Sequence, residues 1–303
     1  MRTDTNLINA WGIIFSAQGA PWISSEGSGV SLVYDSSGNQ VTPPITIPSG
    51  SGSGHPCGIV FNANATDFIM PGGSSAQYIF AGNDGVISGW ASGSTAEVIL
   101  DRSATSSYTG ATIAIDSGAT FLYAANFKLA KIDVFDTSFT EVTMPFIDTT
   151  LPPGYAPFNI QDMGGQLYVM YAQIGPDSLE ERGAGLGYID IYNPDGSFVQ
   201  RFISGSPLNA PWGLVQAPLG FVNFNNENAI LIGNFGDGTI NIFLSGGDFI
   251  GTLSSNGKII SVDGLHGLAF PPAGLSNSNR LYFTAGPNDK KDGLFGYIDK
   301  IQN

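Results

Sequence analysis

Six times along the chain a short apolar run opens through a glycine, or a residue in its place, and a hairpin follows. The openings read Asn9-Ala-Trp-Gly-Ile-Ile-Phe15, His55-Pro-Cys-Gly-Ile-Val-Phe61, Tyr108-Thr-Gly-Ala-Thr-Ile-Ala-Ile115, Ala156-Pro-Phe-Asn-Ile-Gln161, Ala210-Pro-Trp-Gly-Leu-Val215 and Leu265-His-Gly-Leu-Ala-Phe270. Their anchors, Gly12, Gly58, Gly110, Asn159, Gly213 and Gly267, stand 46 to 54 residues apart. In the fifth unit the opening is followed by Ala229-Ile-Leu-Ile-Gly233 and then by an Asp237-Gly238 turn. Thr239-Ile-Asn-Ile-Phe243, which alternates apolar and polar, comes next, with a weaker strand at Asp248–Leu253. Alternation marks a half-buried strand, and Asp-Gly suits a tight hairpin because both turn positions tolerate positive φ. Units of about 40–50 residues holding several short strands predict an all-β chain, a six-bladed β-propeller with four-stranded antiparallel blades. It fills one domain over residues 1–303. The sixth unit ends with its third strand, so its outer strand is expected to be missing unless the N-terminus supplies it. An unpaired edge there would invite strand addition by a partner.

Composition narrows the partners. The net charge is −14, with 25 acidic residues against 11 Lys and Arg, which disfavours nucleic acid, whose phosphates need clustered cations. No apolar stretch approaches the ~20 residues of a membrane helix, so membrane insertion is not expected. Cys57 stands alone and says little about redox compartment. No signal peptide is legible at Met1-Arg-Thr-Asp-Thr5.

The Pro-x-Gly-[Ile/Leu] openings resemble NHL-type propeller repeats. Asn6-Leu-Ile-Asn-Ala-Trp-Gly12, Gly85-Val-Ile-Ser-Gly-Trp90, Gly154-Tyr-Ala-Pro-Phe-Asn-Ile160, Asn209-Ala-Pro-Trp-Gly213, Gly233-Asn-Phe-Gly-Asp-Gly238 and Thr284-Ala-Gly-Pro-Asn288 together resemble an uncharacterised bacterial family of secreted propellers. The resemblance implies six blades and an extracellular or periplasmic protein, and brings no established activity. The chain departs from it at the start, where members carry a further strand-forming segment.

In a propeller the innermost strand of each blade lines the axis, and the loop entering it emerges on the same face as the loop joining the second and third strands. Six residues before the anchors are therefore candidates for ligand binding at the channel mouth: Trp11, His55, Tyr108, Phe158, Trp212 and His266. Around them the hairpins contribute carboxylates and amides, among them Glu26, Asn83, Asp84, Asn234 and Asp237. The leading expectation is an exported, non-enzymatic propeller that binds a carbohydrate or a protein on this aromatic, acidic face. Aromatic faces stack on sugars and anchor protein contacts. The alternative is a lactonase-type hydrolase with His266 as base and a divalent cation such as Ca²⁺. Asn159, Asn234, Asp237 and Glu26 would then supply the oxygen ligands that a hard cation requires. Asn159 has a plainer explanation too, because asparagine tolerates left-handed φ almost as glycine does. A purely structural assembly module is the third option. No Ser-His-Asp triad, zinc-spaced cluster or phosphate-binding loop is legible.

Overall fold

A computed structural model describes residues 2–50, 52–222, 228–275 and 277–300. Short apolar runs broken by glycine turns leave only single helical turns among the described residues, at Glu26–Ser28 and Pro287–Lys290, and the chain forms consecutive antiparallel sheets in strict sequence order. The inner strands are Ala10–Phe15, Pro56–Phe61, Tyr108–Asp116, Tyr155–Met163, Pro211–Gln216 and Leu265–Ala269. Five sheets have four strands. The sixth holds only Leu265–Ala269, Arg280–Ala285 and Leu294–Asp299. The described N-terminal residues add no strand to it. Within the Gly/Ser-rich stretch around residue 50, Pro48–Ser49 pairs with Gly52–Ser53 in a small hairpin. No helix among the described residues is long and apolar enough to cross a membrane.

All six inner strands slip register at the anchor. A bulge turns its extra residue out of the normal alternation and re-aims the side chain. The residues left out of the ladder immediately before the anchors are Trp11, Cys57, Thr109, Phe158, Trp212 and His266, and all six are buried. The anchors close a ring behind them. A Cβ on Gly12 would lie 2.7 Å from the Cys57 carbonyl oxygen in blade two, and one on Gly267 would lie 2.7 Å from that of Trp11. Blade six thus abuts blade one as blade one abuts blade two. At Asn159 the same contact becomes a hydrogen bond, with Nδ2 donating to the Trp212 carbonyl at 2.8 Å.

Closure of the ring does not depend on a shared sheet. His266 Nδ1 lies 3.1 Å from the Ala10 carbonyl oxygen, and Thr284 Oγ1 donates to that of Trp11. The Asn9 amide donates to Asp292 O at 2.9 Å, and Phe295 stacks on Tyr34. Between blades the core is mainly apolar, but one third-strand position stays polar and buried in blades one to five: Ser31, Ser88, Asp133, Asp190 and Asn241. The two carboxylates there need cations, since an unpaired buried charge is costly. Lys131 Nζ sits 2.6 Å from Asp133, and Arg201 pairs with both Asp190 and Asp148. Burial still pushes the Asp190 carboxyl up to about 6.

Candidate functional site at the channel mouth

The bulge residues meet on the axis and fill it. Trp11 packs edge-on against Phe158 and Trp212, each at 5.8 Å between ring centroids. His266 is sandwiched between Trp11 at 3.9 Å and Phe235 at 4.8 Å, nearly parallel to both. Trp212 Nε1 donates across the channel to the Thr109 carbonyl at 2.9 Å. Trp11, Phe158, Trp212 and His266 are between 0 and 5% exposed, so the expected aromatic ligand face is the interior of a plug. Beneath it, along the axis, a cavity of about 30 Å³ is lined by Gly12, Gly58, Asn159 and Gly213. That is room for about one water molecule.

Two of the expected mouth residues lie elsewhere. Tyr108 is fully buried. It packs in the core shared by blades two and three, and its hydroxyl donates to Asp133 Oδ2 at 3.0 Å. Thr109, one residue on, is the bulge residue, so alternation sends Tyr108 away from the axis. His55 precedes its bulge residue, Cys57, by two and stands on the rim with its side chain half exposed. Its Nδ1 lies 2.9 Å from Glu26 Oε1. Asn83 Nδ2 donates to that same oxygen at 3.2 Å, and Asn9 Nδ2 donates to Glu26 Oε2 at 2.6 Å. The hydrogen bond to Glu26 draws the His55 pKa upward. For Glu26, burial pulls upward, yet its bonds to His55, Asn9 and Asn83 bring the net shift below the ordinary carboxylate value.

His266 is the opposite case. Burial holds its pKa well below the ordinary histidine value, helped by the charges of Lys290 and Arg182. The ring is therefore neutral, with Nδ1–H given to Ala10 and Nε2 left as an acceptor that has no partner. A ring stacked on both faces and fully buried cannot reach a substrate as a general base, which removes the role expected of it in a hydrolase.

The residues named as cation ligands do not form a donor set. Asn159 spends Nδ2 on Trp212 and Oδ1 on the Ile160 amide. Asn234 bonds the Asn209 amide, the Pro207 carbonyl and Thr239. Asp237 caps its own turn through Thr239 and also accepts from Asn209 Nδ2. Glu26 is taken up by His55 and the two asparagines. Among the described residues no group of three or more His, Cys, Asp or Glu is arranged to hold a metal ion. The residues present do not fit the divalent cation that the hydrolase alternative requires.

The mouth also holds residues that the pattern of openings does not point to. Lys290 Nζ lies 5.6 Å from the Trp11 ring and 5.1 Å from the Phe235 ring, and it pairs with Glu180 Oε1 at 2.6 Å. Arg182 stands 4.4 Å over Phe235. Lys290 and Glu180 belong to the second-to-third-strand loops of blades six and four, so their ion pair spans the plug. One signal could have found them. Only 11 residues are Lys or Arg, and Arg182 and Lys290 both fall in loops of the mouth face.

Comparison with known proteins places the chain. It is 34% identical to an uncharacterised protein of Acanthamoeba polyphaga mimivirus over 99% of this chain and 77% of that protein. A second uncharacterised mimivirus protein is 33% identical over 99% of this chain and 82% of its own length. The chain belongs to the family of these viral proteins. No described family model matches it. Among solved structures it is similar to a gluconolactonase of Xanthomonas campestris, with a TM-score of 0.59 and 15% identity, covering 97% of this chain and 87% of that one. It is also similar to the virginiamycin B lyase of Staphylococcus aureus, with a TM-score of 0.57 and 12% identity over 98% and 87%. At these identities the likeness shows the fold, a six-bladed β-propeller.

Proposed function

We infer that the protein is a binding propeller that recognises its ligand, a carbohydrate or a protein segment, on the loop-built channel mouth, above an aromatic floor the ligand does not penetrate. The observation that carries this reading is the plug itself. With Trp11, Phe158, Trp212 and His266 packed on the axis, recognition falls to the rim groups, namely His55 with Glu26, Arg182, and Lys290 with Glu180. Export to an extracellular or periplasmic setting, implied by the bacterial resemblance, belongs to the same proposal. The test is a glycan-array and peptide-library screen, with each hit mapped by hydrogen exchange. Protection of the mouth loops at 26–29, 83–85, 174–187 and 286–293 is the expected result. Protection confined to the opposite end of the channel, or to the free edge of Leu294–Asp299, overturns the reading, and the latter outcome favours edge-to-edge assembly.

A second reading draws on the His55–Glu26 pair. A half-exposed imidazole whose Nδ1 is held by a carboxylate presents Nε2 as a proton acceptor, and structural neighbours with this fold include a gluconolactonase and a lyase. A hydrolase of this kind would use His55 where the sequence pointed to His266. On a lactone and ester panel, turnover that is lost in His55→Ala and kept in His266→Phe supports it. A wild-type protein inactive across the panel counts against it.

A further inference from the structure

We propose that the axial mouth is a carboxylate-binding site, seating the carboxylate of a small organic acid or of a peptide C-terminus over Phe235, between Arg182 and Lys290. The inference rests on the binding reading above and assigns that ligand its chemical class.

In a chain with 25 carboxylates and 11 Lys and Arg, two cations stand over one aromatic ring, at 4.4 and 5.1 Å from Phe235. The backbone is bent to bring one of them there. Asn288, Asp289 and Lys290 have φ of 56°, 52° and 65°, three successive left-handed residues in a region that costs L-residues roughly 1–2 kcal/mol each. A turn so disfavoured persists only where its surroundings over-determine it. Here Lys290 is held by Glu180, while the Asn288 amide donates to Asp263 Oδ2 at 2.9 Å.

Glu180 shows what the site accepts. Its side chain is only 6% exposed and lies on Lys290, so a carboxylate from a loop 110 residues away already occupies half of the cationic pair. Arg182 is exposed and has no ion-pair partner among the described residues. Its guanidinium presents a forked set of donors that matches a carboxylate. In the ring that Lys290 covers, the Trp11 indole N–H is buried and has no acceptor. An indole nitrogen only donates, and a buried donor without a partner costs roughly 1–3 kcal/mol. Enclosed in the ring that Lys290 covers, this N–H is not reached by the ligand and serves as a reporter of charge arriving above the plug.

The experiment titrates ¹⁵N-labelled protein with succinate and with a hexapeptide bearing a free C-terminus. Each is set against its neutral counterpart, succinamide or the amidated peptide. The Trp11 indole and Arg182 side-chain N–H signals are followed. The acids are expected to shift both signals saturably and the amides are not. Arg182→Gln should weaken binding by about tenfold, in line with the loss of one charge-assisted hydrogen bond. Arg182→Lys should keep most of the affinity. Glu180→Gln, which frees Lys290, should tighten binding several-fold. The opposite signs separate a binding role from a structural one, since damage to the fold would weaken both variants. Tighter binding of succinate identifies a small acid as the source, and tighter binding of the peptide identifies a chain terminus. Equal binding of acid and amide at the mouth overturns the charge assignment and leaves the binding reading intact. So does a shift of the same sign in Arg182→Gln and Glu180→Gln. If neither acid gives a saturable shift, the carboxylate site is refuted, and the screen described above decides the binding reading separately.

Discussion

The two histidines of the chain enter their blades in nearly the same place and end in opposite worlds. His266 stands one residue before its anchor, is re-aimed by the bulge and becomes part of a dry aromatic plug. His55 stands three residues before its anchor, outside the bulge, and reaches a carboxylate on the rim. A displacement of two residues relative to the anchor thus separates an inert, neutral ring from an exposed, cation-prone one. In this propeller the register of the bulge, rather than the type of residue, divides structure from accessible chemistry.

That contrast can be broken from the plug side first. Trp212→Ala removes a ring that packs on Trp11 and bonds across the channel, and it should cost about 3–5 kcal/mol as a large-to-small core change. Thermal unfolding should show a fall on the order of 10 °C. A melt within a degree or two of wild type would mean that the plug is not a structural core. The second test uses acid. Because the folded state holds the His266 pKa down, the unfolded chain binds the proton more readily, so stability falls as pH drops below about 6.5. The slope reaches up to about 1.4 kcal/mol per pH unit. His266→Phe should flatten this part of the pH–stability curve, and an unchanged slope would contradict a buried neutral ring.

Asn159→Gly restores the anchor residue of the other five blades and leaves the Trp212 carbonyl without its donor. The expected loss is about 1–2 kcal/mol by chemical denaturation, with metal content by mass spectrometry unaffected. A metal that disappears while stability holds would return Asn159 to the role of ligand. The smallest effect belongs to the rim, and its sign is reversed. The His55 pKa is raised and that of Glu26 lowered. Their pairing is therefore present below the ordinary histidine value near 6.5, fades as pH rises through the raised His55 value, and fades again as Glu26 protonates below about 4.5. For a half-exposed pair the contribution is under about 1 kcal/mol. His55→Gln should lower the melting temperature by about 1–2 °C near pH 5.5, and by nothing measurable in alkali. A larger loss at high pH than at low would refute the pair.

Much of the architecture could be read from the chain. Five of the six openings carry a glycine, and the Asp84-Gly85 and Asp237-Gly238 turns follow their second strands, so the blade plan and the short sixth blade were both legible. The mouth was legible only in part. Trp11, Phe158, Trp212 and His266 were rightly placed toward the axis, yet an axial aromatic reads the same in sequence whether it faces a ligand or another ring. Tyr108 was misplaced because strand alternation continues up to the bulge, and the bulge has no local signature. Glu26 and His55 were assigned to the same face, but their pairing, 29 residues apart, was not visible.

The sequence alone determined the repeat, the number of blades and the identity of the anchors, because hairpin turns and close inner-strand packing each demand particular residues within a few positions. Only the tertiary structure decided which side chains meet. Six bulges aim their residues at one axis, where crowding turns ligand candidates into core. Loops from blades four and six then bring Glu180 and Lys290 together over that core, and a contact across 110 residues of chain leaves no trace in local pattern.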